Sequence, residues 1–294
     1  MAETPLKTLS AQSVKTYEGC LERLRHSLEE AELVDEPKTV IEEIQRLFAN
    51  LSTQKVYLSA VMWYIKEQNK EAWDVLKAYF DKIRPGIDKR ATAQTLTVSA
   101  SALYVPWDTL KTAGKKAIKM YKEGTLPLAD ALIAVLYTEQ APVRADYGGM
   151  EFITDIRKAS NPEINYCLIR GTKPIFIFNH YKTQKSYGKI VVPIKRSVYH
   201  LLLSRYSEMA QKGSNLVFTE NQPNFSAKVK RVFGALTGKE VGISLLRHSY
   251  ITDFLKTNPS IHDKQEVAYK MMNSVAIQDA YRVLDDKTIK EDGE

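Results

Sequence analysis

The sequence predicts a mainly α-helical protein of two domains, with a small antiparallel sheet confined to the second. Three observations carry this expectation. The chain has 294 residues, more than one domain of about 100–200 residues. Apolar residues recur at steps of three and four along most of its length, which is the helical period. Only three short stretches, all between 150 and 194, have β-like composition.

In the first half, Val14, Tyr17, Leu21, Leu24 and Leu28 form one stripe, with Ser10 or Ser13 as its cap. Val40, Ile41, Ile44, Leu47 and Phe48 form a second after Pro37. Val56, Tyr57, Ala60, Val61, Tyr64 and Ile65 form a third, after Ser52 and Thr53. Trp73, Leu76, Phe80 and Ile83 form a fourth, expected to stop at Pro85-Gly86. Residues 89–103 are rich in Ala, Thr and Ser and fit no single element. Val105-Pro106-Trp107 reads as the junction, giving domains 1–105 and 112–294. Residues 108–122 and 126–139 are helical in pattern. Strands are expected at 150–156, 174–179 and 189–194, with Tyr181–Gly188 as a polar hairpin turn. Helices return at 195–211, 224–236, 244–256, 264–272 and 275–284. The second domain is therefore α+β.

Composition excludes several classes. The residues are 44% hydrophobic and 26% charged, ordinary for a globular protein. The longest clean apolar run, Ala131–Tyr137, is far short of the roughly 20 residues of a membrane-spanning helix. The opening MAETPLKTLS lacks a signal-peptide core. Two cysteines, Cys20 and Cys167, exclude a disulfide framework and a Cys-rich zinc site. The expectation is a soluble intracellular protein in a reducing compartment, with no membrane partner.

Charge points to a polyanion. Lys and Arg number 42 against 35 Asp and Glu, a surplus of +7 and a pI near 9.1. Such a surplus favours nucleic acid, although it also serves solubility. Its distribution is uneven. Lys182, Lys185, Lys189, Lys195 and Arg196 fall between 179 and 196 with no acid among them, and Lys228, Lys230 and Arg231 form a second cluster.

Phosphodiester chemistry needs cations for the growing phosphate charge, and arginine's planar fork matches two phosphate oxygens. It also needs a nucleophile and a proton donor for the leaving oxygen. Arg144 follows the apolar run ALIAVLY, Arg247-His248 lies in LLRHSYITDFL, and Tyr281 lies in AIQDAYRVL. Spacing alone does not make these a site. The chain has 16 tyrosines, any one of which is ordinarily packing, and a lone arginine is ordinarily a surface residue.

Order and wording together add more. APVRADYGGM, NHYKTQKSYGKIVVPI, ISLLRHSYITDFL and YKMMNSVAIQDAYRVL, spanning 141–284, resemble the catalytic domain of the tyrosine recombinases. SVKTYEGCLERL and STQKVYLSAVMWYI resemble that family's core-binding domain. The wording is nearest to integrase-like members from large eukaryotic DNA viruses, virophages and related mobile elements.

The resemblance implies a two-domain, C-shaped clamp on double-stranded DNA. It implies site-specific recombination or integration, viral genome integration included, through a 3′-phosphotyrosyl intermediate. Self-assembly into a dimer or tetramer on paired sites is implied with it. No metal, cofactor or ATP is implied, because guanidinium groups take the place of a metal clamp. The compartment would be the nucleus or a viral factory for a eukaryotic virus, and the cytoplasm for a prokaryotic source. The 13 residues after Tyr281 imply that the family's exchange of a C-terminal segment is short or absent.

Residue by residue, Arg144 and Arg247 match the two catalytic arginines. Lys182 matches the lysine that protonates the leaving 5′ oxygen, and Tyr281 matches the nucleophile. Ser244 stands where the family has histidine, leaving the base open. His248 is a candidate substitute, with packing or a backbone hydrogen bond as the alternative. Asn273 replaces His or Trp and keeps one donor for a phosphate oxygen. Tyr147 occupies a position often acidic. Asp146, one residue earlier, is either an arginine-orienting group or a plain helix cap. Lys185, Lys189, Lys228, Lys230 and Arg231 read as contacts to the DNA backbone. His180 reads as structural, and Trp63, Trp73 and Trp107 as core or interface. A type IB topoisomerase shares the Arg, Lys, Arg, Tyr chemistry and is one competing reading. A DNA-binding protein that kept the fold and lost cleavage is the other, fed by Ser244 and Asn273.

Overall fold

A computed structural model describes residues 9–92, 94, 96–170 and 173–283. The chain divides into two compact units, Met1–Ala93 and Gln94–Glu294.

The first unit is helical. Helix α1 spans Ala11–Leu24, and its cap is Ser10, whose hydroxyl accepts from the Ser13 amide. A short α2, Glu30–Asp35, is closed by a capping box between Glu29 and Glu32. It runs into α3, Pro37–Leu47, with proline in the first turn. Helix α4, Leu51–Ile65, is capped by Asn50, which accepts from the Ser52 and Thr53 amides. Helix α5, Lys70–Thr92, continues through Pro85. The expected stop there fails because apolar packing continues on both sides: Leu76 and Ile83 are buried and Ile87 packs on the same core. Leu24, Leu33, Val40, Ile44, Leu58, Val61 and Ile65 complete that core.

The second unit takes in α6, Val98–Leu103, within the stretch that sequence left ambiguous. Leu96 and Val105 lie in this unit's core, so the segment before the expected 105–112 junction packs with the residues after it. Helices α7, Trp107–Lys122, and α8, Leu128–Glu139, meet at Gly114 and Thr138. A side chain at Gly114 would meet Thr138 Oγ1 at 2.1 Å. Residues 131–138 of α8 are all buried, as expected of a helix apolar all round.

The sheet has four strands in the order β1-β2-β3-β4: Glu151–Ile153, Tyr166–Leu168, Ile175–Phe178 and Ile190–Pro193. It is mixed, which corrects the expected antiparallel sheet: β1 and β2 are parallel, with Phe152 opposite Cys167. Pairs β2–β3 and β3–β4 are antiparallel. Strand β2 is not among the three expected strands. A helical turn, α9 (Gln184–Tyr187), lies within the expected hairpin loop. Helices α10 (Arg196–Gln211), α11 (Gln222–Thr237), α12 (Ile243–Lys256), α13 (Ile261–Lys270) and α14 (Val275–Tyr281) come next in the chain. The N-terminal residues 1–8 and the C-terminal segment 284–294, on which the leader and segment-exchange expectations bear, lie outside the described residues. Among the described residues, no helix is long and apolar enough to cross a membrane.

Candidate active site

The site is built around the end of α13. Its last turn closes with Met272 N–H on the Tyr269 carbonyl (3.1 Å) and Asn273 N–H on the Ala268 carbonyl (3.0 Å). This is a Schellman cap, whose turning residue adopts the left-handed conformation. That residue is Met272, at φ 55°, where glycine is usual. The cap leaves the Met271 and Met272 carbonyls free at the negative end of the helix dipole, where cations are favoured.

Both motif arginines bind there. Arg144 Nη1 donates to the Met272 carbonyl at 3.2 Å. Arg247 is 1% exposed, and its Nη1 donates to the carbonyls of Met271 (3.2 Å) and Pro142 (2.7 Å). Asn273 is buried. With its amide turned so that both ends are satisfied, it donates to the Ala268 carbonyl (3.2 Å) and accepts from Arg247 Nη2 (3.3 Å). Burial pulls the Arg247 guanidinium below the ordinary arginine range, Tyr281 opposes that, and Arg144 adds to it. Arginine stays charged in proteins all the same.

Arg247 Nε donates to the Tyr281 hydroxyl at 3.2 Å. Tyr281 ends the short α14, yet it is fastened chiefly to α12. His248 Nδ1 pairs with the Tyr281 main-chain carbonyl at 2.7 Å, and its ring meets the Tyr281 ring edge-on at 4.8 Å. Just beyond, Val283 N–H donates to Thr252 Oγ1 at 2.9 Å. The hydrogen bond makes His248 Nδ1 the donor, since a carbonyl can only accept. Burial lowers the His248 pKa from 6.5; the Tyr281 carbonyl opposes this and Arg247 adds to it.

Asp146 is buried near both arginines, and one of its oxygens, Oδ2, has no hydrogen-bond partner. Burial raises its pKa, while Arg144 and Arg247 pull it down. Two guanidiniums facing one buried carboxyl leave the cluster with a cationic surplus, suited to an anion. Tyr147, in the often-acidic position, is buried among Tyr137, Phe176, Phe178 and Phe225. Tyr137 donates to the Arg144 carbonyl at 2.6 Å, fixing that residue's backbone.

Lys182 is exposed and sits beside this cluster through its neighbour, since Thr183 Oγ1 donates to the Met272 carbonyl at 2.9 Å. Ser244 is exposed on the first turn of α12. Lys185 and Lys189 are exposed around α9, and Lys230 and Arg231 on α11. Lys228 differs: it is paired with Glu220 (2.8 Å) and Asp130 (3.6 Å). His180 faces Glu163 at 3.1 Å. Trp107 is core, Trp73 packs on the first unit's core, and Trp63 is 40% exposed beside Tyr17.

Sequence reasoning missed the carbonyls of Pro142, Met271 and Met272, and also Thr183. Main-chain acceptors leave no mark in residue identity, and a methionine at the turn hides the cap that glycine would advertise. Among the described residues, no group of three or more His, Cys, Asp or Glu is placed to hold a metal.

No protein-family model matches the chain, and no curated protein matches it. Among solved structures it is similar to one titled crystal structure of XerA recombinase, at 14% identity and a TM-score of 0.43, over 95% of this chain and 89% of that chain.

Proposed function

We propose that the protein breaks and rejoins DNA strands through a covalent tyrosine intermediate, as a site-specific recombinase or integrase of the kind its wording resembles. One observation carries the reading: Arg144, Arg247 and Tyr281, far apart in sequence, meet at the end of α13, with Arg247 Nε on the phenolic oxygen. In this reading the two guanidiniums hold the scissile phosphate and oppose its growing charge. The Tyr281 oxygen attacks phosphorus, and the bond to the 5′ oxygen breaks. Lys182 gives that oxygen a proton, and Arg247 Nε steadies the phenolic oxygen as it loses its own. Asn273, already on Arg247, orients it. Lys185, Lys189, Lys230 and Arg231 contact the backbone of double-stranded DNA, and the first unit supplies further DNA binding. Assembly on paired sites and service to a viral or other mobile genome belong to the same reading.

The test uses nicked duplexes of randomised flanking sequence, with the protein–DNA adduct resolved under denaturing conditions. Wild type yields an adduct, while Tyr281→Phe binds the duplexes and yields none. Absence of adduct from wild type, or normal adduct from Tyr281→Phe, overturns the reading. The first outcome, with binding retained, favours a DNA-binding protein that has lost cleavage. Exposed Ser244 and the backbone-committed His248 Nδ1 are the observations on that side.

A further inference from the structure

Lys182 is the exposed residue of a turn held on both sides. Before it, Tyr181 is buried and its hydroxyl donates to the Gly188 carbonyl at 2.5 Å, closing the turn on itself. After it, Thr183 Oγ1 reaches out of the turn to the Met272 carbonyl, which also holds Arg144 Nη1. One carbonyl oxygen thus joins the segment bearing the lysine to the segment bearing the first arginine. A second tie runs alongside, from Val191 N–H to the Tyr269 hydroxyl at 3.2 Å, but it starts on β4, nine residues from Lys182.

We infer that Thr183 is a positioning residue, whose hydroxyl latches the Lys182 turn onto the arginine cluster so that the ammonium meets the leaving 5′ oxygen. The role rests on the cleavage reading above. In that step the P–O5′ bond breaks as the Tyr281 O–P bond forms. The departing oxygen takes a proton from Lys182 Nζ, and the phenolic proton goes to solvent. A latch that serves only this transfer matters when the leaving group needs a proton and not otherwise. A long, flexible lysine on an untethered turn would spend little time in reach.

The experiment compares Thr183→Val, which keeps the shape and removes the donor, with Thr183→Ser, which keeps the donor. Single-turnover cleavage is measured on randomised nicked duplexes carrying either the ordinary 5′ oxygen or a bridging 5′ sulfur. The sulfur departs as a thiolate and needs no acid, because a thiol ionises near neutral pH. Thr183→Val is expected to cleave the oxygen substrate about tenfold more slowly, the worth of one net hydrogen bond, and the sulfur substrate at the wild-type rate. Thr183→Ser recovers the oxygen rate. Lys182→Ala shows the same sulfur rescue, whereas Arg144→Ala does not. Equal slowing of both substrates by Thr183→Val, or no slowing of either, overturns the inference. If wild type forms no adduct on either substrate, the cleavage reading falls separately. Amide hydrogen exchange over 181–189 without DNA then decides the latch: faster exchange in Thr183→Val supports it, and unchanged exchange overturns it.

Discussion

Arg144 and Arg247 look alike in the sequence and differ in what holds them. Arg144 is half-buried, and its guanidinium donates to a carbonyl that Thr183 also satisfies. Its loss leaves that carbonyl with the Thr183 donor. Arg144→Ala is therefore expected to lower stability by less than about 1 kcal/mol while slowing cleavage about a hundredfold or more. Arg247 instead satisfies the Pro142 and Met271 carbonyls from a fully buried position. Arg247→Ala leaves both without that donor and should cost about 2–4 kcal/mol in a urea titration, besides abolishing cleavage. His248 makes the pH prediction. Folded His248 holds a proton less readily than the 6.5 of the free side chain, so below about that pH the unfolded chain takes up a proton that the folded protein does not. Its contribution lowers stability as pH falls through that window and has no slope above it. Urea midpoints at about pH 7 and pH 5 should show a smaller acid loss for His248→Gln than for wild type. An equal loss would mean that His248 titrates alike in both states.

Among the elements, the end of α13 gives the sharpest test. Met272 combines a left-handed backbone with a fully buried side chain. Glycine relieves the backbone but empties the space, and a buried Met→Ala costs about 2–5 kcal/mol. Backbone relief is worth only about 1–2 kcal/mol, so the cavity wins and Met272→Gly is expected to destabilise. Met272→Ala keeps both costs and should melt lower than Met272→Gly, the reverse of their usual order inside a helix. If alanine proves the more stable, the left-handed cap is wrong. A similar constraint acts at Gly148, where a Cβ would come within 2.9 Å of the Gln222 backbone. Gly148→Ala should push the loop carrying Arg144 and Asp146 away from α11 and slow cleavage. The helices of ten or more residues were legible because their apolar stripes are long and regular. What escaped was short or carried by the main chain. The six-residue α2 and the turn α9 hold too few positions for a period, and α5 passes Pro85 because Ile87 extends its buried face. The motif residues Arg144, Arg247, Asn273 and Tyr281 were legible from their wording, while the carbonyls that gather them were not.

At the scale of the whole molecule, net charge alone does not say which cations face a polyanion. Lys185, Lys189, Lys230 and Arg231 are exposed, whereas Lys228 is committed to Glu220 and Asp130. Neutralising Lys185 or Lys189 is expected to reduce the slope of log affinity against log salt by about 1 each. Lys228→Gln should leave the slope unchanged and lower the unfolding temperature. A slope that falls only with Lys228 would put the DNA on another face. Segments around 144, 183 and 247 converge on one helix end, and what they grip there is amide oxygen. An arginine held by a carboxylate lets go when the carboxylate takes a proton, and a carboxylate can be exchanged for another side chain. Amide oxygens neither titrate in any range the protein meets nor change with the residue that bears them. The hydrogen bonds that hold the two guanidiniums are thus insensitive to acid, and the titratable group that faces both arginines is the buried Asp146 carboxyl, whose pKa burial raises.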